Sequence, residues 1–295
     1  MDPSPLLKII LYLLAGLPLR LQHALGTGVG YALAVIPNRR RSTTYTNIRL
    51  CFPQLSRAEQ NRLARRNLIE CGKGLVEIAG LWLWRKERVL DLVKDAQGKE
   101  KADAAFAGGR GVIFLAPHLG AWEMTGLYLS SVYPMTSLYR PPPLKGMDTL
   151  MRRARERTGA RLVPTDAGGI RALYAALKKN RCVGILPDQN PSAGSGVFAP
   201  FFGVPANTMV LASRLAIKSR APVFVALAER LPRAQGYRMH ILPVPDAVYD
   251  TDLAQSAGVI NAMVEQAVRI RPEQYLWCYK RFRTRPPGEP KLYHR

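Results

Sequence analysis

Acidic residues are scarce in this chain of 295 amino acids: 21 Asp and Glu stand against 43 Lys and Arg, a formal net charge of +22 at pH 7. A surface so short of negative charge attracts polyanions, whether phosphorylated substrate, anionic leaflet, acidic protein or nucleic acid, and composition alone does not choose among them. Cysteine is equally thin. The four, Cys51, Cys71, Cys182 and Cys278, are too far apart for a CxxC pair and too few for a disulfide scaffold, so a reducing compartment is expected. Cys182 in an expected strand and Cys278 between Trp277 and Tyr279 read as small buried hydrophobes. Also missing are a GxSxG elbow, a Walker loop, a GxGxxG turn, an HExxH helix and any metal-spaced Cys/His cluster. These absences count against serine hydrolase, NTPase, dinucleotide enzyme and zinc enzyme, and no cofactor or metal is expected.

No uninterrupted hydrophobic run reaches the roughly 20 residues that a clean bilayer span needs. The apolar stretch from Leu6 to Ile36 is broken by Lys8, Pro18, Arg20 and His23, and is followed by Asn38-Arg39-Arg40-Arg41. Residues 1–41 therefore read as a membrane-associating helical segment, kept in the mature protein, whose arginines favour the cytoplasmic side and anionic headgroups. Gly26, Gly28 and Gly30 fit a lipid-embedded helix better than a soluble one.

What is present is a foldable chain, 47% hydrophobic, with residues 42–295 as its main domain. Ser56-Arg57-Ala58-Glu59 is a capping box that should start a long helix toward Trp84, with Leu63, Leu75, Ile78 and Trp82 on its face. Beyond it, short β-rich runs (111–116, 181–186, 222–227) alternate with helical patterns such as Ile170, Leu173, Tyr174, Leu177 and Leu253, Ile260, Val264, Val268. That alternation predicts an α/β fold, a mainly parallel central sheet with helices on both faces, and ligands at the carboxyl ends of its strands.

At the end of the first such strand stands His118, followed by Glu123 in an H-x4-E arrangement. If His118 precedes a helix and Glu123 lies in its first turn, with Gly120 easing the bend, the carboxylate can bond one imidazole nitrogen and free the other as a general base. A satisfied structural histidine is an equal alternative. His23, His240 and His294 lack this context. Arg140 closes a second short strand ahead of Pro141-Pro142-Pro143, where it could hold a phosphate or simply be a solvated cation. Arg152, Arg153, Arg155, Arg157 and Arg161 read mostly as a solvated, membrane-facing or carrier-facing helix surface. Asp188 ends the third strand in Leu186-Pro187-Asp188-Gln189-Asn190 and could serve a site or merely cap a turn.

These motifs together, with Asn47-Ile48-Arg49-Leu50-Cys51-Phe52-Pro53, Pro200-Phe201-Phe202-Gly203 and Trp277 through Pro286, resemble the late acyltransferases of lipid A biosynthesis over nearly the whole chain. The resemblance implies a glycerolipid-acyltransferase-like fold at the cytoplasmic face of an inner membrane. It also implies transfer of a fatty acyl group from acyl carrier protein to a hydroxyl of a phosphorylated glycolipid, with His118 and Glu123 as the catalytic pair and Arg140 and Asp188 as substrate-binding positions. A thioester donor is already activated, so a base and oxyanion donors suffice, without covalent intermediate or metal. The anionic membrane surface, the carrier and the acceptor all suit the basic charge, and no nucleic acid is expected. Alternatives are another glycolipid or amino-lipid acceptor, thioester hydrolysis, or a non-catalytic basic protein bound to membrane or nucleic acid.

Overall fold

The computed structural model describes residues 4–142 and 145–293; Pro143, last of the triple proline, and His294 lie outside the described residues. Four helices come first: α1 (Ser4–Ala15), α2 (Leu19–Val35), α3 (Arg39–Cys51) and α4 (Arg57–Leu83). Pro18, which has no amide hydrogen to leave unpaired, sits at the N-cap of α2. Asn38 caps α3 by accepting the Arg41 N–H at 2.9 Å. The Ser56/Glu59 box forms in both directions: Glu59 accepts the Ser56 amide at 2.8 Å and Ser56 Oγ the Glu59 amide at 3.3 Å.

Helices α2 and α4 touch backbone to backbone. A Cβ added at Gly30 would stand 2.4 Å from Ile69 Cα, one at Gly26 2.5 Å from Lys73 Cα, and one at Gly72 2.2 Å from the Gly26 carbonyl oxygen. Two of the three glycines expected to suit lipid are thus occupied by contact inside the protein, while Gly28 faces open space. Leu75, expected on the inner face of α4, is exposed, whereas its neighbours Gly74 and Val76 are buried.

The buried faces of α2 and α4 are tied to the sheet by charge. Arg230 donates to both Glu77 oxygens (2.9 and 2.5 Å) and to Glu70 (2.7 Å), while Glu77 also meets His23 Nε2 at 2.8 Å and the Tyr237 hydroxyl at 3.0 Å. Burial pushes the Glu77 carboxyl up, but the Arg230 charge and the hydrogen bonds outweigh it and hold it down at about 2. His23, in the apolar stretch, is therefore a structural partner.

The rest alternates as the β-rich runs predict. In order come α5 (Lys86–Leu90), β1 (Val93–Gln97), α6 (Lys99–Ala107), β2 (Val112–Leu115), α7 (Trp122–Val132), β3 (Met135–Tyr139), α8 (Asp148–Glu156), β4 (Arg161–Pro164), α9 (Ala167–Lys178) and β5 (Cys182–Ile185). A hairpin of β6 (Gly196–Phe201) and β7 (Val204–Met209), then α10 (Leu211–Ser219), β8 (Val223–Arg230), β9 (Tyr237–Pro243) and α11 (Leu253–Ile270) complete the chain's main elements. Seven strands form one sheet in the order β1-β9-β8-β2-β5-β3-β4, parallel except where β9 meets β8. β2 is buried along its whole length, as a strand covered on both faces must be. Side chains of α9, α10 and α11 pack on one face and those of α6 and α7 on the other. Because β2, β5 and β3 are parallel neighbours, their carboxyl ends bring His118, Asp188 and Arg140 to one edge.

Gly30→Ala should lower the denaturant midpoint of unfolding by the equivalent of about 1–3 kcal/mol, the usual cost of overpacking. Gly28→Ala, with nothing within 4 Å, should be neutral or slightly stabilising. Equal losses in both variants would show that the α2–α4 contact does not set the stability.

Candidate active site

After β2 the chain runs through Ala116 and Pro117 to His118, whose imidazole and amide are both claimed by one carboxylate. Asp188 Oδ1 lies 2.8 Å from His118 Nδ1, and Asp188 Oδ2 accepts the His118 backbone N–H at 2.9 Å. The imidazole's carboxylate partner is therefore Asp188, at the end of neighbouring β5, and not the expected Glu123. An ionised carboxylate only accepts, so Nδ1 carries the proton and Nε2 presents its lone pair. At Nε2 stands the Gln189 side-chain amide, 3.1 Å away. Nothing in the sequence marks Gln189 for this position beyond its adjacency to Asp188.

Burial pushes the Asp188 carboxyl up, yet the charge of His118, its two hydrogen bonds and the nearby Arg281 outweigh that and hold it below the usual carboxylate range. Arg281 is itself buried, and is fixed by donating to the Asn207 carbonyl at 2.7 Å and Thr208 Oγ1 at 2.8 Å. The loop bearing the imidazole is fastened to the rest of the edge by backbone bonds. The Leu276 N–H donates to the His118 carbonyl at 3.0 Å, the Gly120 N–H to Gln274 at 3.0 Å, and the Ala121 N–H to Ala228 at 2.9 Å. Gly120 has φ +60°, and a Cβ there would stand 2.0 Å from the Ala228 oxygen, so this bend is closed to larger residues. Asn47 anchors the bracing segment by donating to the Trp277 and Tyr279 carbonyls at 2.7 and 2.8 Å, and the Tyr279 hydroxyl accepts the Asn190 amide at 3.0 Å.

Glu123 does fall in the first turn of α7, but its carboxylate receives the Arg155 guanidinium bidentately, Nε at 3.0 Å and Nη2 at 2.5 Å. Helix α8 packs beside α7 and delivers the arginine that the imidazole loop does not compete for. Burial works against the Arg155 charge, and the Glu123 carboxylate more than restores it. Arg155 was expected on a solvated surface, and so was Arg157, which instead donates to the Leu81 and Trp82 carbonyls at the end of α4. Nothing in the arginine-rich run distinguishes these two from their neighbours; only the packing does. Arg140 is exposed at the end of β3 and makes no hydrogen bond or ion pair among the described residues.

Trp122 links the imidazole to an apolar cavity. Its ring centroid lies 5.6 Å from that of His118, and it shares with Glu123 and Arg155 the wall of a space of about 110 Å³ floored by Phe114, Leu127 and Met135. A larger cavity of about 660 Å³ lies between α2, α4 and the β8–β9 turn, but Arg20, Lys73, Glu70 and Arg271 line it, so it is no place for a hydrocarbon. Among the described residues there is no group of three or more His, Cys, Asp or Glu side chains placed to hold a metal ion.

An imidazole held by a carboxylate and set beside Trp122, which lines an apolar cavity, is compatible with acyl transfer, and comparison with known proteins points the same way. The family model described as bacterial lipid A biosynthesis acyltransferase matches residues 6–284. The chain belongs to that family. Among relatives of this acyltransferase, the lipid A biosynthesis palmitoleoyltransferase of Escherichia coli (strain K12) is 33% identical over 288 residues, covering 96% of this chain and 92% of that protein. The lauroyltransferase of the same organism is 30% identical over 285 residues, with coverage of 96% and 92%. Its myristoyltransferase is 27% identical over 259 residues, covering 88% and 79%. This protein is an acyltransferase acting on a lipid-type substrate, and the three relatives are named for three different acyl groups.

Because the folded Asp188 carboxyl titrates below its unfolded value near 3.9, its contribution to stability is full above that pH and is lost as pH falls through the folded value. Urea midpoints measured from neutral pH into the acid range should fall less steeply for Asp188→Asn than for the parent. Parallel acid limbs would show that the carboxylate is not held by His118.

Proposed function

We propose that this enzyme transfers a fatty acyl chain from acyl carrier protein to a hydroxyl of a phosphorylated lipid A precursor, working at the cytoplasmic face of the inner membrane. The observation that carries the reading is the His118 imidazole, protonated at Nδ1 by its bond to Asp188, with Nε2 facing Gln189 and its ring beside Trp122, which lines the apolar cavity. In the reaction, the acceptor hydroxyl displaces Gln189 from Nε2 and gives its proton to that nitrogen as its oxygen attacks the thioester carbonyl. Asp188 stabilises the imidazolium so formed. The carbon–sulfur bond then breaks, the thiolate leaves, and the imidazolium returns the proton to it, so the enzyme ends as it began.

Glu123 takes the part of a positioning carboxylate: it holds Arg155 at the cavity wall, where the guanidinium can face the developing oxyanion or the carboxyl end of the chain. Arg140, exposed on the same edge, is suited to a phosphate of the acceptor. At about 110 Å³ the cavity is roughly the liquid volume of four waters, so a fatty chain enters it as the walls part.

Residues 1–41 act as the membrane-docking unit. Leu6, Ile9, Tyr12 and Leu13 on α1 and Leu21, Leu25, Val29 and Tyr31 on α2 are exposed large apolar side chains, more than a soluble surface needs. No helix among the described residues is long and apolar enough to cross a membrane, which favours helices lying in the interface with Arg39, Arg40 and Arg41 at the headgroups.

His118→Ala should abolish acyl transfer from acyl carrier protein to the glycolipid, a loss of at least ~10²-fold, with an unchanged circular dichroism spectrum. Retained turnover in that variant would end this reading. Assays with and without the glycolipid separate transfer from hydrolysis. Gly126 lines the cavity with open space in front of it, so Gly126→Leu should cut turnover more for long acyl donors than for short ones; an equal effect on all donors would place the chain elsewhere. Mass spectrometry of lipid A from cells lacking and regaining the protein gives the chain and its position.

A further inference from the structure

Two thiols that acyl transfer does not use face each other where α4 meets the C-terminal segment. Cys71 Sγ and Cys278 Sγ are 4.0 Å apart, although 207 positions separate them in sequence. Both are half-buried, whereas Cys51 and Cys182 are buried. Cys278 was expected to be a small buried hydrophobe like Cys182; it is instead half-buried and faces a second thiol.

We propose that Cys71 and Cys278 form a thiol-oxidation site that reacts with a low-molecular-weight disulfide of the oxidised-glutathione class and closes to a Cys71–Cys278 cross-link. Reaching a sulfur–sulfur bond of about 2.05 Å asks the two sulfurs to close by about 2 Å from their 4.0 Å separation.

The two sulfurs are unequal. The hydrogen bond from Cys71 pulls the Cys278 thiol down against its burial, and the Arg40 charge adds to this, bringing it to about 7. The same contact and burial push Cys71 up. Cys278 is therefore the attacking sulfur at neutral pH. Its thiolate attacks one sulfur of the reagent, the reagent's sulfur–sulfur bond breaks, and one thiolate departs with the proton Cys278 gave up. Cys71 then attacks the Cys278 sulfur of the mixed disulfide and expels the second thiolate, which takes the Cys71 proton. The protein dithiol loses two electrons and the reagent gains them, leaving as two thiols.

The site's position gives the cross-link a consequence. Cys278 lies in the segment whose Leu276 N–H holds the His118 carbonyl and whose Tyr279 hydroxyl holds the Asn190 amide. Closing the bond ties that brace to α4 covalently.

The test uses the whole protein in detergent, treated with oxidised glutathione at neutral pH, alkylated, digested without reduction and read by mass spectrometry. A linked peptide pair joining Cys71 to Cys278, short of two hydrogens and reversed by dithiothreitol, is expected. Cys71→Ser should instead stop at a glutathione adduct on Cys278. The proposal is overturned if the wild-type chain does not react, accumulates only adducts, or cross-links through Cys51 or Cys182. It also fails if Cys71→Ser loses the same two hydrogens. None of these readouts depends on acyl transfer.

Discussion

One carboxylate sets the geometry on which the site depends. Asp188 accepts from both the side chain and the backbone of His118, so a single residue fixes the ring's tautomer, its rotamer and the path of the loop that carries it. A buried carboxylate is costly unless its charge is met, and here it is met twice by His118 and again by the field of the buried Arg281. The arrangement is possible because β2 and β5 are parallel neighbours, which puts the residues after their carboxyl ends side by side. A histidine on one strand and an aspartate 70 positions on become one unit.

The same rule of satisfied burial governs the attachment of the N-terminal helices. Close contact at Gly26, Gly30 and Gly72 removes side chains from the α2–α4 seam, and the Glu77–Arg230 pair, with His23 and Tyr237, locks that seam to β8 and β9. The apolar residues left outside, from Leu6 to Ile36, are therefore presented in a fixed orientation to the edge that bears His118 rather than on a loose tether.

Arginine serves three physical ends in this chain. Arg230 and Arg281 are buried and paid for by hydrogen bonds, Arg155, Arg157 and Arg41 hold a carboxylate and helix-end carbonyls, and the exposed Arg39 and Arg40 remain as field. The net charge thus overstates what is free to meet an anionic partner.

Read alone, the sequence determined the class of fold and the sheet edge at which the candidate site residues gather. The capping box at Ser56, the apolar strand Val112–Leu115 and the periodic helices each carry local signals that burial on a parallel sheet enforces. His118, Asp188 and Arg140 were legible as strand-end residues because their positions follow from that alternation. Partnership was not legible. Which carboxylate holds the imidazole, why Glu123 turns to Arg155, and why Cys278 meets Cys71 depend on distances between segments 32 to 207 positions apart. Periodicity reports which way a side chain points on its own element, whereas a hydrogen bond depends on what another element brings to it. That second fact exists only once the chain has folded.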